Sequence, residues 1–365
     1  MAKVLAAVMP KPHAPVEVRE VSEPELEMDS ALLEVELSEV CGTDVHLQQG
    51  RLAGVPYPLI PGHVSVGRLG KIRGQMLDVA GRPFAEGDRV TFLDVHRTCN
   101  ACWHCLVAKA TTRCPHRKVY GITYGLADGL TGGWAQKLYL KPATRCIRLG
   151  ELDFEKFMAG GCALPTALHA VERAEVELGD TVLVLGSGPV GLSIVIFALM
   201  RGALRVLCIG APEHRLEAAR QLGAAAALNV ETSDEQTRVR WVLERTEGRG
   251  ADVTIEATGA PVAVVQALRY TRDAGRVLIV GQYTDHGEVS FNPHLELNKK
   301  HLTVRGCWGS DFSHFYRGVQ IMADPARSAA WSLLKLDRYK LGEANEALAD
   351  VTAGKVTKAL IAPQD

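Results

Sequence analysis

Thr181-Val182-Leu183-Val184-Leu185-Gly186-Ser187-Gly188-Pro189-Val190-Gly191 is the stretch on which the fold turns. Its first five residues form an apolar run without alternation, the pattern of a strand buried on both faces. A Gly-x-Gly-x-x-Gly turn follows, and an apolar helix-like run continues to Met200. A chain with 35 glycines produces such spacings by chance, so the context decides: a strand before, a helix after, and a second strand at Leu204–Ile209, about twenty residues on. In that context Gly186 permits the tight turn, Gly188 lets a backbone approach a pyrophosphate, and Gly191 allows close helix–strand packing. Pro189 and Val190 open a helix whose free N–H groups face the phosphates. Without a ligand, the same stretch is a tight strand-to-helix turn.

The pattern continues downstream. His214–Leu222 reads as an amphipathic helix with Leu216, Ala219 and Leu222 on one face. Val253–Ala257 and Arg276–Val280 are short apolar strands, and Pro261 opens a helix between them, a favoured first-turn position. Strands alternating with helices predict an α/β fold with a doubly wound parallel sheet. Upstream, residues 1–160 carry short β-like runs such as Ala31–Leu37 and Arg89–Leu93. After residue 300 the β character returns at Leu302–Arg305 and near Lys358–Ile361, around a helical stretch at Glu343–Val351. The expected organisation is a β-rich domain over 1–160, a nucleotide-binding domain over 161–300, and a tail over 301–365 that returns to the first.

An acid at the end of the second strand would hold the ribose hydroxyls of NAD. The sequence has Gly210 there, followed by Ala211-Pro212-Glu213-His214-Arg215. Loss of the carboxylate removes repulsion against a 2′-phosphate, which His214 or Arg215 could hold; Glu213 restores an acid nearby. NAD and NADP both stay open.

The 365 residues suggest two or so domains. With 47% hydrophobic and 23% charged residues and a net charge of −1, the chain has a globular composition and no basic bias toward nucleic acid or a membrane surface. No apolar stretch is long enough to span a bilayer. The first residues lack the charged, apolar and small order of a secretory signal, and the expected location is the cytoplasm. Nine cysteines in a reducing compartment point to metal rather than disulfides.

Four of them form Cys99-x2-Cys102-x2-Cys105-x8-Cys114. Four thiolates close a tetrahedral zinc shell with no open position, a site that contributes folding energy and no chemistry. An iron–sulfur cluster fits the spacing less well. A nucleic-acid module would use Arg113, Arg117 and Lys118, but the whole-chain charge speaks against it. Three further candidate ligands stand apart, in Cys41-Gly42-Thr43-Asp44-Val45-His46, Ile60-Pro61-Gly62-His63 and Cys162-Ala163-Leu164-Pro165-Thr166. Taken singly, each is as readily a buried cysteine or an ordinary histidine.

These segments, with Gly-Asp-Arg-Val at 87–90, the four-cysteine loop and the glycine fingerprint, occur in an order that resembles the zinc-containing medium-chain dehydrogenase/reductase family over nearly the whole chain. The resemblance implies a GroES-like β-rich catalytic domain beside a Rossmann domain, and two zinc ions per chain, one catalytic and one structural. It implies Cys41, His63 and Cys162 as ligands of the catalytic zinc, with a fourth position open. It also implies that Thr43 hydrogen-bonds the substrate oxygen, that His46 relays the proton, and that Asp44 orients the zinc histidine. Thr166 is a candidate to pack against the nicotinamide.

The expected reaction moves hydride between an alcohol and NAD or NADP, with the proton leaving through Thr43, the cofactor ribose and His46. If Trp103, Tyr124, Trp134 and Trp308 line a pocket, a bulky or cyclic secondary alcohol is favoured, with a polyol or aminocyclitol as the runner-up. The rival readings are a zinc-free reductase, an inactive dinucleotide sensor and a nucleic-acid-binding zinc protein. The family implies a homodimer or homotetramer. Two positions depart from its pattern. Val64 stands where a glutamate commonly follows the zinc histidine, and Cys114 lies one residue further along its loop than is usual. Cys146, Cys208 and Cys307 are expected to be structural.

Overall fold

Thr181–Leu185 lies inside a six-stranded parallel sheet in the computed structural model, which describes residues 2–365. The strands run Ala226–Asn229, Arg205–Gly210, Thr181–Leu185, Ala251–Glu256, Thr271–Ile279 and Thr303–Gly306 across the sheet. Numbered within the sheet, that order is 3-2-1-4-5-6, the doubly wound arrangement that opens a crevice beside the first strand. The fingerprint helix Pro189–Met200 starts at Gly188 with proline in its first turn, and is buried from Gly191 to Ala198. Its apolar character is that of a core helix, and among the described residues no helix is long and apolar enough to cross a membrane. A Cβ on Gly191 would sit 1.9 Å from the carbonyl oxygen of Gly186, so only glycine lets helix and turn approach this closely.

The chain divides into two compact units. One comprises Met1–Cys162, Asp311–Ser328 and Lys335–Asp365, and the other Ala163–Ser310 and Ala329–Leu334. The parallel sheet belongs to the second, and Leu183, Leu185, Leu207, Ile209, Val242, Leu268 and Val277 form a core on it.

In the first unit a seven-stranded sheet runs Leu336–Lys340, Lys358–Ala362, Ser30–Val40, Ser65–Arg73, Arg89–Phe92 and Cys146–Arg148, with Lys137–Leu140 paired to Ser30–Val40. All pairings are antiparallel except that of Leu336–Lys340 with Lys358–Ala362. Ser30–Val40 is the axis of this unit. It is eleven residues long and buried over nearly its whole length, with register shifts after Ala31 and Val35. Its carboxyl end delivers the chain into Cys41.

Three elements differ from the expectation. The strand expected at Leu302–Arg305 in the returning tail is Thr303–Gly306, the sixth strand of the parallel sheet. It is an edge strand with mostly exposed residues, so it lacks the continuous apolar signature of its neighbours. The third strand, Ala226–Asn229, is half-buried and made mainly of small residues, and carries no pattern of its own. The helix Phe312–Ala323, capped by Asp311, adds to the first unit an element that had no counterpart in the pattern.

Candidate metal centres and nucleotide site

Cys41 leaves the strand Ser30–Val40 and caps the short helix Gly42–Gln48. Its sulfur accepts from the Thr43 backbone N–H at 3.3 Å, and its own N–H donates to Asp44 Oδ2 at 2.9 Å. Asp44 Oδ1 accepts from Gly62 N at 3.3 Å. One buried carboxylate therefore ties the Cys41 turn to the Gly62-His63 turn. Asp44 thus meets the backbone of Cys41 itself and of Gly62, the residue immediately before His63. His63 Nε2 lies 3.8 Å from Cys41 Sγ and 3.1 Å from Cys162 Sγ. The three donor atoms all lie within 4.8 Å of one another. Thr43 and His46 are three residues apart on the same short helix, and so share a face.

The three side chains and Asp44 strongly affect one another's ionisation. Hydrogen bonding from Cys162 and the charge of His63 hold Cys41 well below the usual thiol range, against the effect of burial. Burial opposes the imidazolium at His63, but the Cys41 thiolate and Asp44 outweigh it and carry His63 to about 10. The bond to Cys41 and burial push Cys162 well up. Burial, then the Cys41 charge, lifts Asp44 to about 8. A divalent ion takes thiolates and neutral imidazole, so its uptake should release protons and its affinity should rise with pH. Calorimetric zinc titration in buffers of different ionisation enthalpy measures the proton count. A count of zero would mean that the trio is not the binding site.

Cys99, Cys102, Cys105 and Cys114 form a second cluster with donor atoms within 4.8 Å of one another. Cys102 and Cys105 sulfurs are 3.6 Å apart, as are those of Cys114 and Cys99. A tetrahedron with zinc–sulfur distances of about 2.3 Å has edges of about 3.8 Å, and all four thiols are free of disulfides. The one-turn helix Thr111–Arg113 leads directly into Cys114. The backbone N–H of Ala101, chiefly, lowers Cys99 to about 6.

At the carboxyl end of the parallel sheet, Gly186 and Gly188 form the turn and Pro189, Val190 and Gly191 start the helix. A Cβ on Gly210 would lie 2.5 Å from Ser187 Oγ. Packing of the fingerprint turn therefore excludes any side chain, and any carboxylate, at that strand end. Glu213 is held by Arg220 at 3.0 Å and by Asn229 at 3.3 Å, while Arg215 is half-buried and its pKa lowered by burial. One residue escaped the sequence reading. Buried Glu256 accepts from Thr258 N and Oγ1, both at 2.7 Å, and from Gly259 N at 3.0 Å, while its other oxygen takes Gly281 N at 3.2 Å. It fixes the loops after the fourth and fifth strands, on the edge of the sheet where open α/β folds bind ligands. An acid ending an apolar strand before Ala-Thr-Gly was its only sequence signal. Thr166 sits in the first turn of helix Ala163–Arg173.

The four aromatic residues have separate surroundings. Trp134 is fully buried, with Nε1 donating to Glu39 O at 3.1 Å, and is a core residue. Trp103 is exposed on the four-cysteine loop. Trp308 stacks on Tyr283. Tyr124 lines a cavity of about 920 Å³ that contains none of the three donors of the trio. Cys146, Cys208 and Cys307 are buried outside both clusters, and burial raises all three thiols.

Residues 27–151 match the family described as the alcohol dehydrogenase GroES-like domain, and residues 189–324 the zinc-binding dehydrogenase family. The 5-exo-hydroxycamphor dehydrogenase of Pseudomonas putida is 33% identical over 334 residues, covering 91% of this chain and 91% of that protein. An alcohol dehydrogenase from Thermotoga maritima has a closely similar structure, with a TM-score of 0.93, 32% identity and 100% of both chains covered. An NADP-bound structure from Sinorhizobium meliloti 1021 has a TM-score of 0.85 at 26% identity, again over 100% of both chains.

Proposed function

The chain belongs to the zinc-containing medium-chain dehydrogenase family, and on that premise we propose that it is a zinc-dependent dehydrogenase that oxidises a bulky secondary alcohol with NAD or NADP, or reduces the matching ketone. The observation that carries the reading is the trio of Cys41 Sγ, His63 Nε2 and Cys162 Sγ. Three converging donors leave one position of a tetrahedron for substrate, whereas the four-cysteine cluster leaves none. The donor chemistry fits zinc at both places. The absence of a side chain at Gly210 and the engagement of Glu213 by Arg220 and Asn229 leave the 2′ position of a nucleotide without an obligatory carboxylate, which is compatible with either nicotinamide cofactor. The likeness to a hydroxycamphor dehydrogenase favours a hydroxyl on a ring carbon.

When bound, zinc supplies Lewis acidity that makes an alcohol hydroxyl acidic, and the nicotinamide ring supplies the acceptor for hydride. The protein's part is to seat the alcohol and carry off its proton. Thr43, whose backbone N–H is bonded to the Cys41 sulfur, presents the hydroxyl that takes the proton first. His46, one turn further along the same helix, is the final acceptor from which the proton would reach solvent. Asp44 keeps the turns bearing Cys41 and His63 in register.

Two measurements on one preparation test the proposal: zinc by elemental analysis, and nicotinamide reduction with a panel of alcohols and both cofactors. About two zincs per chain, with cyclic secondary alcohols oxidised faster than ethanol, is the expected result. Activity in zinc-free protein would return a zinc-independent reductase to first place. Tight nucleotide binding without turnover of any alcohol would indicate a sensor.

A further inference from the structure

Glu39 and Lys358 form an ion pair with side chains 2% and 0% exposed. Glu39 is the penultimate residue of the strand Ser30–Val40, two positions before Cys41, and Lys358 opens the strand Lys358–Ala362. The carboxylate does more than meet the lysine. Its Oε2 accepts from the backbone N–H of Cys162 at 2.6 Å, while Lys358 Nζ also donates to Gly160 O at 3.2 Å. Gly161 lies between those two acceptor and donor sites, with φ +48, and a Cβ there would be 2.1 Å from Glu39 Oε2 and 2.9 Å from Lys358 Nζ. The chain before Cys162 is thus shaped around the ion pair.

Glu39 is also bonded to the segment that carries the histidine. Its backbone N–H donates to Val64 O at 3.0 Å, and the pairing of Ser38 with Ser65 makes Glu39 the antiparallel partner of Val64. Directly opposed residues of antiparallel strands project from the same face of the sheet. Glu39 therefore carries a carboxylate on the face, and beside the position, where Val64 has none. A single residue is two positions from Cys41, opposite the neighbour of His63, and hydrogen-bonded to Cys162.

Stability alone is a weak reason to bury two charges, because an apolar pair of similar volume does as well or better. We propose that Glu39 and Lys358 are positioning residues of the Cys41–His63–Cys162 metal centre, tying its three chain segments together. The carboxylate holds the Cys162 arm, and Lys358 keeps the carboxylate aimed. This inference rests on the reading of that trio as a zinc site.

The test follows zinc release from the purified holoenzyme to the chromogenic chelator 4-(2-pyridylazo)resorcinol. The release phase of the trio is the one that disappears in Cys162→Ala. Glu39→Gln keeps the volume and a hydrogen-bond acceptor but loses the charge. The double variant Glu39→Leu/Lys358→Met removes both charges and keeps an apolar pair. Both should release the trio's zinc about 10–100-fold faster, with the phase of the four-cysteine cluster unchanged. Lys358→Arg should release it at close to the wild-type rate. Wild-type release from the double variant would overturn the proposal, because the pair would then serve the fold alone. A wild-type protein with no release phase that depends on Cys162 would instead remove the metal centre itself.

Discussion

Replacing Cys41 or His63 with alanine is expected to lower kcat by roughly a thousandfold or more, because Lewis-acid assistance is worth several kcal/mol and each 1.36 kcal/mol is tenfold. Either change leaves two donors where three converge, and zinc content should fall by about one per chain. Nucleotide binding should survive. The fingerprint turn is built on its own parallel sheet and core, in the unit that contains neither residue. The pair of readings is diagnostic: turnover of a cyclic secondary alcohol, and nucleotide affinity by fluorescence titration. Loss of both together would indicate misfolding. An active variant lacking that zinc would sink the catalytic assignment. Thr43→Val in the same assay separates the hydroxyl from the metal, since it should reduce turnover and leave zinc content intact.

The parts of this molecule that were legible in the sequence are those whose physics is local. Thr181–Leu185 is recognisable because a strand buried on both faces has no room for polar alternation. Gly191 is recognisable because backbone packing leaves no space for a Cβ. The four cysteines are legible because they are close in the chain, and closure of a short loop around a metal needs little else. The Cys41–His63–Cys162 trio was reached only through its flanking residues, since a lone cysteine or histidine carries no signal of its own. What stayed hidden is set by distance along the chain. Glu39 and Lys358 are 319 residues apart and pair only because the tail returns beside the strand Ser30–Val40. Glu256 is an ordinary acid until the loops fold over it. The exposed edge strand Thr303–Gly306 was assigned to the wrong sheet because burial, the quantity that patterning reports, is weakest there. That Glu39 lies opposite Val64 is likewise invisible until the strands pair.

The four-cysteine loop should fail in a different way from the trio. Between Cys99 and Cys114 the chain has only the short helix Trp103–Leu106 and one turn at Thr111–Arg113. Trp103, Leu106 and Val107 are 63%, 53% and 64% exposed, so the loop buries too little apolar surface to order itself. On the proposed reading its order comes from a zinc cross-link, and structural zinc in small peptides is worth about 10–16 kcal/mol. Cys114→Ser is therefore expected to remove one zinc and let the loop open with a local free energy near zero, while the β-sheet around Ser30–Val40 stays folded. Limited trypsin digestion reads this directly. Lys109 and Arg113 lie on the loop, and cleavage there should become faster by two orders of magnitude or so as protection falls by about 3 kcal/mol. The midpoint of thermal unfolding should move by only a few degrees, since the main cores lie outside the loop. A loop as resistant in Cys114→Ser as in the wild type would mean that packing, not metal, holds it. The four thiols would then be a cluster without a structural ion.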